Sequence, residues 1–202
     1  MIASEETEPI VSVVTAIVIK NGIKYTELRK PAAQMECQAV NIRTSYGNII
    51  AVNVYFPPGN DTSRPSVNDL FLRRRNVIIV GDMNAKSPLW GNDIYNARGR
   101  DLDDAVNAHK CVVLNTGQGT RQTTTGLMTA IDVSTVFRQL ATKCSRATLN
   151  NTMGSDHVPI VITANARPDK QLATTPKWNL SKADWNTFRE ILTEKLVTSS
   201  IN

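Results

Sequence analysis

Apolar positions in the first half of the chain recur mainly at strand spacing. Val11 to Ile19 reads as a buried strand ending at Asn21-Gly22, a pair suited to the positive φ angles of a tight hairpin turn. Val40 and Ile42, then Val52 and Val54, keep two-residue spacing on either side of Tyr46-Gly47-Asn48, which predicts a second hairpin. Pro57-Pro58-Gly59-Asn60 ends that strand. Asn76-Val-Ile-Ile-Val-Gly81 is a short continuous apolar run, the pattern of a strand covered on both faces and central in its sheet. After Gly99 the period changes. Leu102, Ala105, Val106 and His109 fall on one helical face, with Lys110 near the negative C-terminal end. Val112 to Leu114, Ala130 to Val136 and Val158 to Thr163 are further strands. Beyond Ala164, Arg167-Pro-Asp-Lys and Thr174-Thr-Pro-Lys read as linker before a polar helix from Ser181 to Leu196. The pattern predicts one α/β sandwich over residues 1–164 and a linker with a helix over 165–202.

Composition fits a folded chain of 202 residues, 41% hydrophobic and 20% charged. The longest apolar run, Ile10 to Ile19, is interrupted by Ser12 and Thr15 and falls short of the ~20 residues a membrane helix needs. Glu5, Glu6 and Glu8 occupy the place of a secretory n-region, so a soluble, intracellular protein without a membrane partner is expected. The net charge of +5 permits a polyanionic partner without proving one. Cys37, Cys111 and Cys144 form no CxxC pair, which argues against a zinc ribbon or a disulfide framework.

Three acidic sites stand at strand edges. In Val80-Gly81-Asp82-Met83-Asn84 a strand runs into a polar turn, where α/β folds expose catalytic groups; an Asx-turn that satisfies only the local backbone is the plainer reading. Asp132 interrupts an apolar strand, which requires either a partner or a solvent-facing position. Gly154-Ser155-Asp156-His157 places an acid and an imidazole just before an apolar strand. With His109 accounted for by its helix, His157 is the candidate for proton transfer or phosphate stabilisation. No Gly-x-Ser-x-Gly, His-Glu-x-x-His or Walker lysine loop occurs. Hard oxygen donors, one imidazole and a basic balance suit Mg²⁺-assisted phosphoester hydrolysis better than acyl or hydride transfer.

Tyr55-Phe-Pro57, Gly81-Asp-Met-Asn84, Thr120, Ile131-Asp132 and Ser155-Asp-His157 occur in the order of the exonuclease–endonuclease–phosphatase superfamily. The closer resemblance is to the apurinic-endonuclease-like domain of non-LTR retrotransposons of the jockey and R1 sort. It is carried by Gly81-Asp-Met-Asn-Ala-Lys-Ser-Pro-Leu-Trp-Gly91, Asn115-Thr-Gly117, Thr129-Ala-Ile-Asp132 and Gly154-Ser-Asp-His-Val-Pro-Ile160. Trp178-Asn-Leu-Ser-Lys-Ala-Asp-Trp185 looks like the linker toward a reverse transcriptase in the same polyprotein.

The resemblance implies a DNase I-like, two-sheet sandwich flanked by helices, acting on DNA with Mg²⁺ (or Mn²⁺) in the nucleus. It leaves a nick with a 3′-hydroxyl that primes reverse transcription. It assigns Asp82 to the attacking water, Asn84 to placing that water and the phosphate, and His157 to the scissile phosphate with Asp132 orienting its ring. Tyr55 would lie near the phosphate, Thr120 and Arg121 in the substrate region, and Asp156 at the metal. Family members carry an Asn strand and a Glu strand upstream of a segment resembling Val13 to Lys24. An N-terminally incomplete domain lacking its first strands, with weak metal binding and feeble nicking, is therefore expected. Two other readings stand beside it. One is an inactive remnant binding DNA through Arg73, Arg74, Arg75, Arg98, Arg100 and Arg121. The other is a phosphatase or phospholipase of the same superfamily acting on inositol phosphate or sphingomyelin.

Overall fold

The computed structural model describes residues 15–28, 36–59, 64–71, 76–170 and 180–199. The chain divides into two compact units, Met1–Gln171 and Leu172–Asn202. In the first, β1 (Tyr25–Leu28), β2 (Glu36–Thr44) and β3 (Gly47–Tyr55) form an antiparallel meander. Thr44 pairs with Gly47, so only Ser45 and Tyr46 make the expected second hairpin turn, which Gly47 closes at φ 91°. Helix α1 (Arg64–Phe71) leads to β4 (Val77–Asp82), which pairs parallel with β3. Then come α2 (Ala97–Ala108), β5 (Cys111–Val113), the short hairpin β6 (Arg121–Gln122) and β7 (Met128–Thr129), β8 (Asp132–Phe137), α3 (Arg138–Ala141), and the antiparallel pair β9 (Cys144–Thr148) and β10 (Ile160–Ala164). The main sheet has the order β1-β2-β3-β4-β8-β5, with the apolar Val77–Val80 run inside it as expected.

Strand alternation sorts the main sheet's side chains onto two faces. On one, Cys37, Ala39, Val52, Val54, Val77, Ile79 and Val133 pack with Val67, Leu70 and Phe71 of α1 and Leu102, Ala105 and Val106 of α2. Phe56, Met83 and Trp90 complete this cluster, and each large side chain so buried contributes about 1.5–3 kcal/mol. On the other face Ile49 and Val136 pack with Leu140 of α3 and against Ile78, Leu114 and Cys144. The β9–β10 pair is the second sheet over this face. Its Ile160 and Ile162 line a cavity of about 310 Å³ with Asn53, Val80, Gly81 and Asp132. The result is the expected two-sheet α/β sandwich flanked by helices.

Several expectations change in detail. Of the strand expected over Val11 to Ile19, residues 11–14 lie outside those described and Thr15 to Lys20 makes no ladder, although the turn at Asn21-Gly22 forms, with Gly22 at φ 87°. Val18 is 94% exposed, and Ala16 O accepts from Asn53 Nδ2 of β3 at 3.2 Å. The strand that was to begin at Ala130 begins at Asp132 instead. Asn92 takes the place of a neighbouring strand at Ala130, donating to its carbonyl (2.8 Å) and accepting from its N–H (3.1 Å). Helix α2 starts five residues before Leu102 because Asn96 caps it, accepting from Gly99 N at 2.7 Å. His109 is its C-cap and stacks on Phe71. The expected absence of first strands concerns residues ahead of Thr15, outside those described.

In the second unit a 3-10 turn at Leu180–Lys182 precedes α4 (Trp185–Ser199). The sequence places this helix's start at Ser181. Asp184 moves it to Trp185 by accepting from the backbone N–H of Asn186 and Thr187, both at 3.1 Å. Among the described residues, no helix is long and apolar enough to cross a membrane.

Candidate active site

Strand register builds the site. Tyr55 of β3 pairs with Asp82 of β4, and Asp82 pairs with Asp132 of β8. Paired residues of adjacent strands share a face, so these three side chains stand in one row at the strand ends. His157 reaches the row from the loop between β9 and β10. A bridge between Arg121 and His157 fixes the loop, as do Val158 N–H donating to Thr120 O at 2.7 Å and His157 N–H donating to Ser155 Oγ at 3.0 Å.

The imidazole Nδ1 lies 2.9 Å from Asp132 Oδ2 and 3.2 Å from Oδ1. A carboxylate only accepts, so Nδ1 carries the donating hydrogen and Nε2 is turned toward Asp82, 4.0 Å from its Oδ2. Asp132 is therefore neither solvent-facing nor unpaired, its side chain being 13% exposed. Its backbone is held as firmly. Asp132 N–H donates to Thr120 Oγ1 at 3.2 Å, and its carbonyl accepts from Asn115 Nδ2 at 3.0 Å.

Asp82 does make the Asx-turn: Oδ1 accepts from Asn84 N–H at 2.9 Å, and Oδ2 accepts from Asn84 Nδ2 at 3.3 Å. Asn84 also donates to Phe56 O at 2.9 Å and adopts φ 45°, which Asn tolerates better than most residues. The turn is thus local structure and site at once. Burial pushes the Asp82 carboxyl above its ordinary range, and the neighbouring Asp132 charge adds to the rise. Asn84 N–H, His157 and Arg121 pull the other way.

Two residues take other places than the sequence suggested. Thr120 is fully buried, so it steadies Asp132 from behind and has no surface to offer a substrate. Arg98, a candidate DNA contact, is 8% exposed; it donates to Met83 O (3.3 Å) and Pro57 O (3.1 Å) and lies over the Phe56 ring. It ties the Asp82–Asn84 turn to the loop that follows β3. Arg73, Arg74 and Arg75 lie outside the described residues. Arg121 and Asp156 pair with each other, Nε to Oδ2 at 3.0 Å, on an exposed edge, and this bond holds the Asp156 carboxyl below its ordinary range.

The Mg²⁺ expected here does not fit the described donors alone. Both Asp132 oxygens face His157, Asp156 is committed to Arg121, and among the described residues no three His, Cys, Asp or Glu are arranged so as to hold a metal ion. Sequence reasoning also gave no role to the asparagines that hold the loops. Asn96 donates to Asn84 O at 2.8 Å and accepts from Lys86 N–H at 2.9 Å; Asn115 accepts from Ser134 N–H at 2.9 Å. Isolated asparagines between elements are the available signal, since their side chains imitate a strand neighbour.

Residues 49–161 match the model of the endonuclease–reverse transcriptase family. The chain is 28% identical over 161 residues to the RNA-directed DNA polymerase from mobile element jockey of Drosophila melanogaster, covering 78% of this chain and 18% of that protein. It is 24% identical over 148 residues to the probable RNA-directed DNA polymerase from transposon BS of the same species, covering 69% and 16%. The chain thus spans less than a fifth of the length of these curated relatives. Among solved structures, the endonuclease domain of TRAS1, a telomere-specific non-LTR retrotransposon, superposes with a TM-score of 0.62 at 21% identity, over 70% of this chain and 67% of that one. The AP endonuclease LMAP from Leishmania major superposes with a TM-score of 0.52 at 14% identity, over 63% and 54%. Both likenesses are of fold. With the family match running from β3 into β10 and so taking in the whole Tyr55–Asp82–Asp132–His157 constellation, the chain belongs to the endonuclease–reverse transcriptase family.

Proposed function

We propose that this chain nicks DNA by phosphodiester hydrolysis, within a longer polypeptide that also carries a reverse transcriptase. The observation that carries the reading is the opposition of Asp82 and His157 across a 4.0 Å gap, with Asp132 bonded to the far side of the ring. Asp82, made more basic by its burial, takes a proton from water as that oxygen bonds to phosphorus. The bond from phosphorus to the 3′-oxygen breaks, and that oxygen takes a proton from solvent to become a 3′-hydroxyl. His157 in its protonated form donates through Nε2 to a phosphate oxygen and stabilises the charge that develops there, while Asp132 keeps the ring in place. Asn84 orients Asp82, and Tyr55 borders the phosphate position from the neighbouring strand. Mg²⁺, or Mn²⁺ in its place, would supply positive charge for the phosphate. The 3′-hydroxyl would prime synthesis by the attached polymerase, on chromosomal DNA in the nucleus in this reading.

The test is relaxation of supercoiled plasmid by the purified chain with and without Mg²⁺. The expected result is open circles whose ends a DNA polymerase extends, lost in Asp82→Ala and in His157→Ala. Nicking that survives His157→Ala would overturn the assignment. The lack of a three-residue metal cluster among the described residues favours a second reading, an inactive domain that binds DNA. Plasmid bound in a mobility shift but never nicked, at any Mg²⁺ or Mn²⁺ concentration, would support that reading instead.

A further inference from the structure

Arg146 of β9 lies between the two sheets with 8% of its surface exposed. Its Nε donates to Ser134 Oγ at 3.3 Å, and Nη2 reaches the Asp132 carbonyl at the limiting distance of 3.5 Å. Nη1 has no hydrogen-bond partner among the described residues. Two neutral acceptors do not offset the desolvation of a guanidinium, which needs an opposite charge close by. Asp132 supplies it: burial lowers the Arg146 pKa, and the Asp132 charge is what opposes that fall.

We propose that Arg146 is a positioning residue whose buried guanidinium, bonded to the Asp132 carbonyl and to Ser134 Oγ, holds the start of β8 so that Asp132 meets His157 and sets the direction in which Nε2 faces Asp82. The inference rests on the Asp132–His157 pair being the working pair of the proposed nuclease. Arg146 touches neither the phosphate position nor His157. It acts through Asp132, as outer partners of catalytic histidines do.

Proton NMR of the whole chain tests this without requiring nicking. The hydrogen on His157 Nδ1, held by Asp132, gives a separate downfield resonance protected from exchange. Wild type and Arg146→Lys, which keeps the charge, should both show it. Arg146→Met, which keeps only the apolar stem, should lose it while its amide spectrum stays that of a folded chain. A folded Arg146→Met that keeps the resonance overturns the proposal, as does its absence from wild type. Should the methionine variant not fold, Arg146→Gln, still polar but uncharged, gives the same comparison. In plasmid nicking, Arg146→Met should lower kcat about 10-fold or more with KM unchanged. If wild type nicks no plasmid, the nuclease reading fails and the NMR comparison still decides the role of Arg146.

Discussion

Replacing Gly81 by alanine tests how rigidly the site is set. Gly81 precedes Asp82 in β4 at φ 153°, and an added Cβ would stand 1.8 Å from Val54 O and 2.7 Å from Val54 C. Ordinary contact begins near 3.4 Å, so β3 and β4 would have to part by roughly 1.6 Å. Neither obstacle is a side chain that can turn aside, so the cost belongs at the upper end of overpacking, about 3 kcal/mol. For a unit of this size that lowers Tm by roughly 6–12 °C. The Tyr55–Asp82 pair lies one step farther along the same ladder, and a displacement near 1 Å at a reacting group costs about 100-fold in rate. Thermal melting by circular dichroism and plasmid nicking well below the variant's Tm would measure both effects. Gly126→Ala is the control: its Cβ would meet nothing within 4 Å, so only the strain of φ 83° remains, about 1–2 kcal/mol. A Gly81→Ala chain that melts and nicks like wild type would refute the argument, because the two strands would then not be held at this spacing.

Three further outcomes follow from the site. The Asp82 carboxyl binds its proton more tightly folded than unfolded, so the chain loses stability as pH rises from the ordinary carboxylate range through the raised folded pKa. Asp82→Asn should therefore abolish nicking yet melt higher than wild type at pH 7, a gain that vanishes below pH 3.8; a lower Tm at neutral pH would contradict the burial argument. Asn115→Ala leaves the Asp132 carbonyl and the Ser134 N–H without that partner and should cost about 1–3 kcal/mol, read from the urea midpoint, with reduced nicking. Arg121→Ala removes an ion pair whose side chains are 41% and 55% exposed, so Tm should not move. If Arg121 meets DNA, fluorescence anisotropy should show weaker binding and a salt slope reduced by about one.

What could be read from the sequence divides along physical lines. The Asn76–Gly81 run and the Leu102–Val106 stripe were legible because burial alone dictates their periodicity, and both lie in the main core. Helix α1 and strand β9 were not. Cys-Ser-Arg-Ala-Thr carries no apolar alternation because its inward position, Arg146, is a buried cation. Of the run expected as a strand over Val11 to Ile19, the described part, residues 15–19, makes no ladder, because strand composition alone does not specify pairing. At the site, the residue types at positions 82, 132 and 157 each stood out alone, as polar groups at strand edges, and only the resemblance to a nuclease family joined them. The buried places of Thr120 and Arg98 were not legible, since a hydroxyl or guanidinium in a motif reads the same facing inward or outward until packing is known.

The row formed by Tyr55, Asp82 and Asp132 has a consequence for measurement. It belongs to no single stretch of chain and exists only while β3, β4 and β8 hold their pairing. Sliding β4 by one residue against either neighbour would turn Asp82 toward the helices, leaving no partly built version of the site. Turnover per molecule therefore counts the fraction of chains whose sheet is correctly aligned. A refolding series followed by nicking would report alignment at dilutions where spectroscopy sees nothing. Exchanging residues at the exposed tip of the β6–β7 hairpin would leave that count untouched.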